Sequence, residues 1–343
     1  MPETVRHTGM RRSAALIWPA LALLLLLTLN LLKLDHGRVA LSLDFFRFTI
    51  VDGHLYGSLI DVLNRAAPAL LTALGMTLVI ATGGVDLSVG AVIAIAGALA
   101  AVLLTHTNAG VAVIVVAALG VSLLAGLWNG VLVAALGVQP IVATLILMVA
   151  GRGVAQLLTD GQIITFERPA FGFIGGGYLL GLPFTVTIAA AMFLLTAVLT
   201  RLTALGLFIE AAGSNETASR YAGVQVGLVK LLAYGGCGLC AGVAGLIIAS
   251  DIQAADANNA GLYFELDAIL AVVIGGTALT GGRFSLVGTI LGALLIQTLT
   301  TTILTRGVPV EYTLVVKALV VLVVCLLQSA ALREMLLRGR RRA

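Results

Sequence analysis

Apolar runs of about membrane-spanning length alternate with short polar interruptions along the whole chain. A helix that crosses a bilayer needs about 20 mostly apolar residues. Windows of that kind occur at 14–32, 62–82, 86–105, 110–136, 140–158, 183–200, 228–250, 266–281, 285–305 and 313–331. The pattern predicts an all-α, polytopic membrane protein of about ten transmembrane helices. The longest hydrophilic stretches, 33–61, 159–182 and 201–227, are each too short to bury a core of their own, so 1–343 reads as one transmembrane domain. The first run follows Arg11-Arg12 but leads into Asn30, Lys33 and Asp35 with no clear small-x-small cleavage site. It reads as an uncleaved first helix rather than a signal peptide. The stretch 33–61 is long enough to hold an extra re-entrant or surface segment.

Composition strengthens this picture. Of 343 residues 60% are apolar and only 10% charged, against roughly 45–50% and about 25% in soluble domains. That balance excludes an ordinary cytosolic enzyme, a disordered chain and, despite a net charge of +4, a nucleic-acid-binding domain. The placement of the charges matters more than their sum. Arg6, Arg11 and Arg12 precede the first run, while Arg333, Arg338, Arg340, Arg341 and Arg342 follow the last. Positive residues stay on the cytoplasmic side. Both termini are therefore expected inside, which requires an even number of spans; eight also fits if two short pairs do not fully cross. Stretch 201–230, with Arg201, Arg220 and Lys230, then lies inside. Stretch 251–267, with Asp251, Asp256, Glu265 and Asp267, lies outside, where it either contacts a partner or stays hydrated.

Candidate chemistry is sparse. Cys237, Cys240 and Cys325 lie inside apolar runs, so Cys237-x-x-Cys240 reads as two small interface residues rather than a redox or zinc pair. The four histidines show no metal-ligand spacing. No G-x-x-x-x-G-K-[ST] loop and no G-x-S-x-G elbow is present, so the chain is expected to be no enzyme, to bind no cofactor and to hydrolyse no ATP itself.

Two glycine motifs stand out. Thr82-Gly83-Gly84-Val85-Asp86-Leu87-Ser88-Val89-Gly90 and Thr280-Gly281-Gly282-Arg283-Phe284-Ser285-Leu286-Val287-Gly288 agree at five of nine positions. Paired glycines break helices, and repeated broken helices are characteristic of transporters. Asp86 or Ser88 is a plausible N-cap for the run that follows. Gly126-x-x-x-Gly130, Gly238-x-x-x-Gly242 and Gly288-x-x-x-Gly292 suit close helix packing. Charge inside a span costs about 2.5–3.5 kcal/mol, so Arg152 is expected to face a partner or a water-filled cavity. Lys317 is expected to snorkel. Asn129, Gln139, Gln156 and Gln297 suit sugar hydroxyls and interhelical bonds equally. The candidate path or helix-break residues are thus Gly83, Gly84, Asp86, Ser88, Asn129, Arg152, Gln156 and Gln297.

The stretch Gly206 to Val224 resembles the coupling segment of the ribose-type sugar permeases of ATP-binding-cassette importers. Gly213, Asn215, Ala218 and Gly223 match that pattern, while Ser219 departs from it conservatively. Gly75 to Gly90 resembles the same family's G-M-T-x-V-I-x-x-G-G-I-D-L-S-V-G, with Val85 for Ile. Gly126 to Gly130, Gln139 to Thr144 and Gly275-Gly276 agree too, so the resemblance covers roughly 60–331. Within the family, 61–68, 148–156, 255–261 and Gly281 to Phe284 look most like the galactofuranose permeases. The resemblance implies a monosaccharide-translocating subunit in a bacterial inner membrane. Its implied partners are an ATP-binding subunit, a periplasmic sugar-binding protein and a second, different permease chain. It also implies that 201–227 docks the ATPase through Glu210, Gly213, Asn215, Glu216, Ala218, Arg220 and Gly223. In that expectation Gly213 and Gly223 bound a short helix and Ala218 packs on the partner. A gradient-driven sugar transporter with Asp86 and Arg152 as an ion relay is the alternative.

Overall fold

The computed structural model describes residues 6–322, apart from 36, 37, 42, 52, 308, 310, 311, 313, 320 and 321. Its helices are α1 (Arg6–Leu29), α2 (Ser58–Ala81), α3 (Val89–His106), α4 (Val111–Ala134), α5 (Pro140–Leu158), α6 (Pro169–Gly176), α7 (Phe184–Arg201), α8 (Ala204–Ser214), α9 (Glu216–Tyr221), α10 (Val226–Ile252), α11 (Phe264–Ile274) and α12 (Leu286–Thr305). Among the described residues, seven of these are long and apolar enough to cross a membrane: α2, α3, α4, α5, α7, α10 and α12. The tenth expected span, 313–331, lies largely outside the described residues, as do Cys325 and the arginines from 333 onward.

Burial divides the helices into two groups. α2, α3, α10 and α12 are mostly buried, whereas α4, α5 and α7 leave most of their surface exposed. α10 is the central post and packs against α2, α3 and α4. Leu71, Met76, Ile80, Ile93, Tyr234, Ile247, Ile274 and Leu295 fill the core between these helices. Small residues permit the close approach. A Cβ on Gly126 would meet Gly238 Cα at 3.1 Å, and one on Gly75 would meet Cys237 Cα at 2.8 Å. The Cys237 and Cys240 side chains are free and buried, as expected of interface residues.

The expected span 266–281 is not one helix. α11 stops at Ile274, so its 11 residues rise only about 16 Å, half of a bilayer core. Gly276, Gly281 and Gly282 adopt left-handed backbone angles that end the helix and turn the chain back. Among its described residues, the hydrophilic stretch 33–61 holds no further helix that could span. It forms two hairpins, β1 (Leu32–Asp35) with β2 (Arg38–Leu41) and β3 (Thr49–Val51) with β4 (His54–Tyr56), around a short turn at Asp44–Phe46. In the second polar stretch, β5 (Ile164–Thr165) pairs with β8 (Ala254–Ala255), and β6 (Tyr178–Leu179) with β7 (Leu182–Pro183). The half-buried Lys317 ammonium pairs with Asp267 of α11 at 2.9 Å, so its charge is met by a carboxylate of this chain.

Candidate functional site

The first glycine motif leaves the chain without helix from Thr82 to Ser88, between α2 and α3. Asp86 is 1% exposed. Its Oδ1 accepts the Ser88 N–H at 2.9 Å, the Ser88 hydroxyl at 2.6 Å and the Asn129 amide at 3.3 Å. Asn129 also donates to the Ser88 oxygen at 2.9 Å. Neither Asp86 nor Ser88 caps α3 through its side chain, contrary to expectation. Asp86 instead closes a tight turn and anchors it to α4. Irregular backbone at membrane depth is tolerated where protein buries it and its polar groups are paired. The pairing is incomplete here: Asn129 Oδ1 and the Tyr234 hydroxyl are buried with no protein partner. Gly84 lies against that hydroxyl, 2.5 Å from where a Cβ would sit.

The second glycine motif packs on the first. The Gly282 N–H donates to Ala81 O at 2.9 Å, at the end of α2. A Cβ on Gly281 would lie 2.7 Å from Gly83 N. One helix turn deeper, the hydroxyls of Thr77 and Thr289 bond at 2.8 Å. The two related motifs therefore form one junction. α8 closes it: a Cβ on Gly213 would lie 2.5 Å from Gly282 N and closer still to Ala81 O.

The stretch 201–227 folds as two helices rather than one. Asn215 ends α8 and begins α9, its Oδ1 accepting the Ala218 N–H at 2.9 Å. Gly223 follows α9 with φ +85°, so it bounds that helix as expected. Gly213 does not bound a helix; it lies inside α8, where the need is for contact rather than for a turn. Glu216 bonds Arg220 at 2.6 Å and Lys230 of α10 at 2.7 Å. These bonds hold the Glu216 carboxyl below its ordinary pKa, Lys230 contributing most. Ser219 is buried and donates to Asn215 O at 2.8 Å. Ala218 and Arg220 face outward, and Tyr221 is 90% exposed.

The other candidates lie at the opposite end of the bundle. Arg152 donates to Ala257 O at 3.1 Å and Ala260 O at 2.6 Å, and Gln156 donates to Asn258 Oδ1 at 2.7 Å. Both tie α5 to the loop before α11. Gln297 lines a cavity of about 540 Å³ where α2 and α7 begin and α10 and α12 end. Asp61, Asn64, Arg65 and Asp251 line it too; 61–68 was noted for its family resemblance and Asp251 for its acidic stretch, but none of the four was a candidate path residue. Their signal was present: Asp61, Asn64, Arg65 and Pro68 recur on one face of α2, as do Gln297, Thr300, Thr301 and Leu304 on α12. The candidate path residues thus separate into a buried turn, a glycine junction, a clamp on the loop before α11 and a cavity.

Residues 58–325 match the family described as branched-chain amino acid transport system / permease component, and the chain belongs to that family. The galactofuranose transporter permease protein YtfT of Escherichia coli strain K12 is 55% identical over 91% of this chain and 90% of that protein. The fructose import permease protein FruF of Bifidobacterium longum is 39% identical over 94% of this chain and 90% of that protein. The ribose import permease protein RbsC of Escherichia coli strain K12 is 40% identical over 79% of this chain and 85% of that protein. No solved structure matches the chain.

Proposed function

We infer that this chain is the membrane-spanning subunit of an ATP-binding-cassette importer for a monosaccharide, with galactofuranose as substrate. The similarity to the galactofuranose permease over nine-tenths of both chains supports the substrate more strongly than the weaker likeness to fructose and ribose permeases. In this reading the chain crosses a bacterial inner membrane ten times, α11 and the glycine segment after it together counting as one crossing, with both termini cytoplasmic. A second permease chain, an ATP-binding subunit and a periplasmic sugar-binding protein complete the importer.

One observation carries the coupling mechanism: α8 rests on both helix breaks at once through Gly213. ATP closes the partner subunits, which grip the exposed face of α9 at Ala218 and Tyr221. The movement passes through the Asn215 hinge and the Glu216–Lys230 pair to α8 and α10. Because α2, α10 and α12 run from this junction to the outer cavity, a shift at Gly213 reaches the sugar's entrance. A gradient-driven relay through Asp86 and Arg152 has less support. Asp86 is closed in by Ser88 and Asn129, while Arg152 is engaged by carbonyls of the loop before α11.

The test is uptake in cells producing the complete importer. Galactofuranose entry should persist under a protonophore while ATP lasts, and cease when the ATPase is inactivated. Uptake that follows the proton gradient, or that serves ribose alone, would overturn the mechanism or the substrate respectively.

A further inference from the structure

The outer cavity brings together side chains from five helices, α2, α7, α10, α11 and α12. Its volume, about 540 Å³, falls within the roughly 300–1,000 Å³ of small-molecule sites. Its charged groups, Asp61, Arg65 and Asp251, stay exposed at its mouth, while Asn64, Gln297 and Thr300 are half-buried further in.

Its polar groups are arranged with capacity to spare. Arg65 and Asp61 neutralise each other at 3.1 Å. The Asp251 side chain makes no hydrogen bond or close ion pair with the described residues; the Arg65 charge acts on it from further away, so Asp61, Arg65 and Asp251 together leave one net negative charge at the space. Its position is nonetheless fixed. The neighbouring Ser250 hydroxyl donates to Phe171 O at 2.6 Å and accepts the Gly175 N–H at 2.8 Å. The Thr185 hydroxyl donates to Asn64 Oδ1, which leaves the Asn64 amide hydrogens free to donate into the cavity. Gln297 bonds Thr301 weakly, at 3.4 Å, and the Thr300 hydroxyl donates to Ile296 O at 2.9 Å, keeping its lone pairs available. Phe264, the first residue of α11, supplies an apolar wall.

A carboxylate that accepts from hydroxyls, amides that donate to ring and hydroxyl oxygens, and an aromatic wall suit a neutral polyol. The lone negative charge disfavours sugar acids and sugar phosphates. We propose that this cavity is a sugar-binding site on the permease itself, holding one neutral monosaccharide by Asp251, Gln297 and Asn64 against Phe264. The proposal rests on the reading of the chain as a sugar importer subunit. It places the first stop of the sugar between the helices of one chain, at the far ends of the helices that meet at Gly213.

The experiment uses the complete importer with equilibrated galactose as the probe. Asp251→Asn keeps the side chain's shape and should raise the KM for uptake at least tenfold while the chain still copurifies with its partners. Thr301→Cys adds a thiol to the cavity wall. Sugar should slow its modification by a membrane-impermeant reagent at least fivefold. Wild-type uptake by Asp251→Asn, or labelling of Thr301→Cys unaffected by sugar while transport continues, overturns the cavity site and leaves the importer reading intact. A wild-type importer that takes up no monosaccharide overturns the functional reading itself, and the cavity's assignment with it.

Discussion

The backbone N–H of Gly282 donates to the carbonyl oxygen of Ala81 at 2.9 Å, joining the end of α2 to the second glycine break. Gly213 occupies the same spot from the cytoplasmic side of the proposed topology, and no Cβ fits there without displacing backbone. Gly213→Ala should therefore force α8 away from the breaks and lower uptake at least tenfold while the chain still inserts. Gly153→Ala is the control: a Cβ there meets no atom within 4 Å. Because Ala exceeds Gly in helix propensity by about 1 kcal/mol, this control should melt no lower than wild type. Equal transport by both variants would remove Gly213 from the coupling route.

Ala218 presents its methyl group on the exposed face of α9, one turn from Tyr221. Ala218→Arg should leave insertion and the α9 fold unchanged, since among the described residues nothing covers the position. ATP-driven uptake should nevertheless be abolished. Crosslinks from cysteines placed at 215–220 to the ATPase provide the direct measurement. Free labelling of that region in the assembled importer, together with normal transport by Ala218→Arg, counts against docking here.

Glu216 makes the seating of α9 dependent on pH. Its carboxyl is held below the ordinary glutamate value, about 4.3, by its bonds to Lys230 first and Arg220 second. A depressed folded-state pKa stabilises above the unfolded value, and that stabilisation is lost as pH falls through the folded one. The protection of α9 amides, measured as exchange relative to the intrinsic rate at each pH, should thus be steady from pH 7 to about 5 and fall below the ordinary glutamate range. The pair is partly exposed, so salt should weaken the effect. Glu216→Gln should show low protection at every pH; wild-type protection indifferent to acid would exclude this tether.

Arg152 holds the loop before α11 by two carbonyl oxygens. Hydrogen bonds to a charged group contribute about 1.5–3 kcal/mol. Arg152→Leu should lower the melting temperature and reduce uptake, and Arg152→Lys should recover part of both. A melting curve and uptake rate unchanged in Arg152→Leu would show that the loop is held by other contacts.

Hydropathy alone located the spanning helices, in one case with limits that coincide with the structure: 140–158 is α5. Spanning length is a one-dimensional property, a sum over about 20 neighbours, so local sequence carries it. The helix-ending role of Gly223 was legible for the same reason, since a positive φ is a local demand. The break at Gly281-Gly282 was anticipated from its paired glycines, and the reading failed only at 275–280, where apolar residues continued but the backbone turned. Here mean hydropathy does not register that Gly276 adopts a left-handed angle. Gly213 is glycine because Ala81 and Gly282 converge on it from segments far away in the chain. The cavity, likewise, exists only where five helices meet: 61–68 stood out only for its family resemblance, and Asp251 belonged to an acidic stretch expected either to contact a partner or to stay hydrated. Which polar residues share a space depends on how helices cross, and helix crossing is set by side chains meeting between distant segments rather than within any one of them.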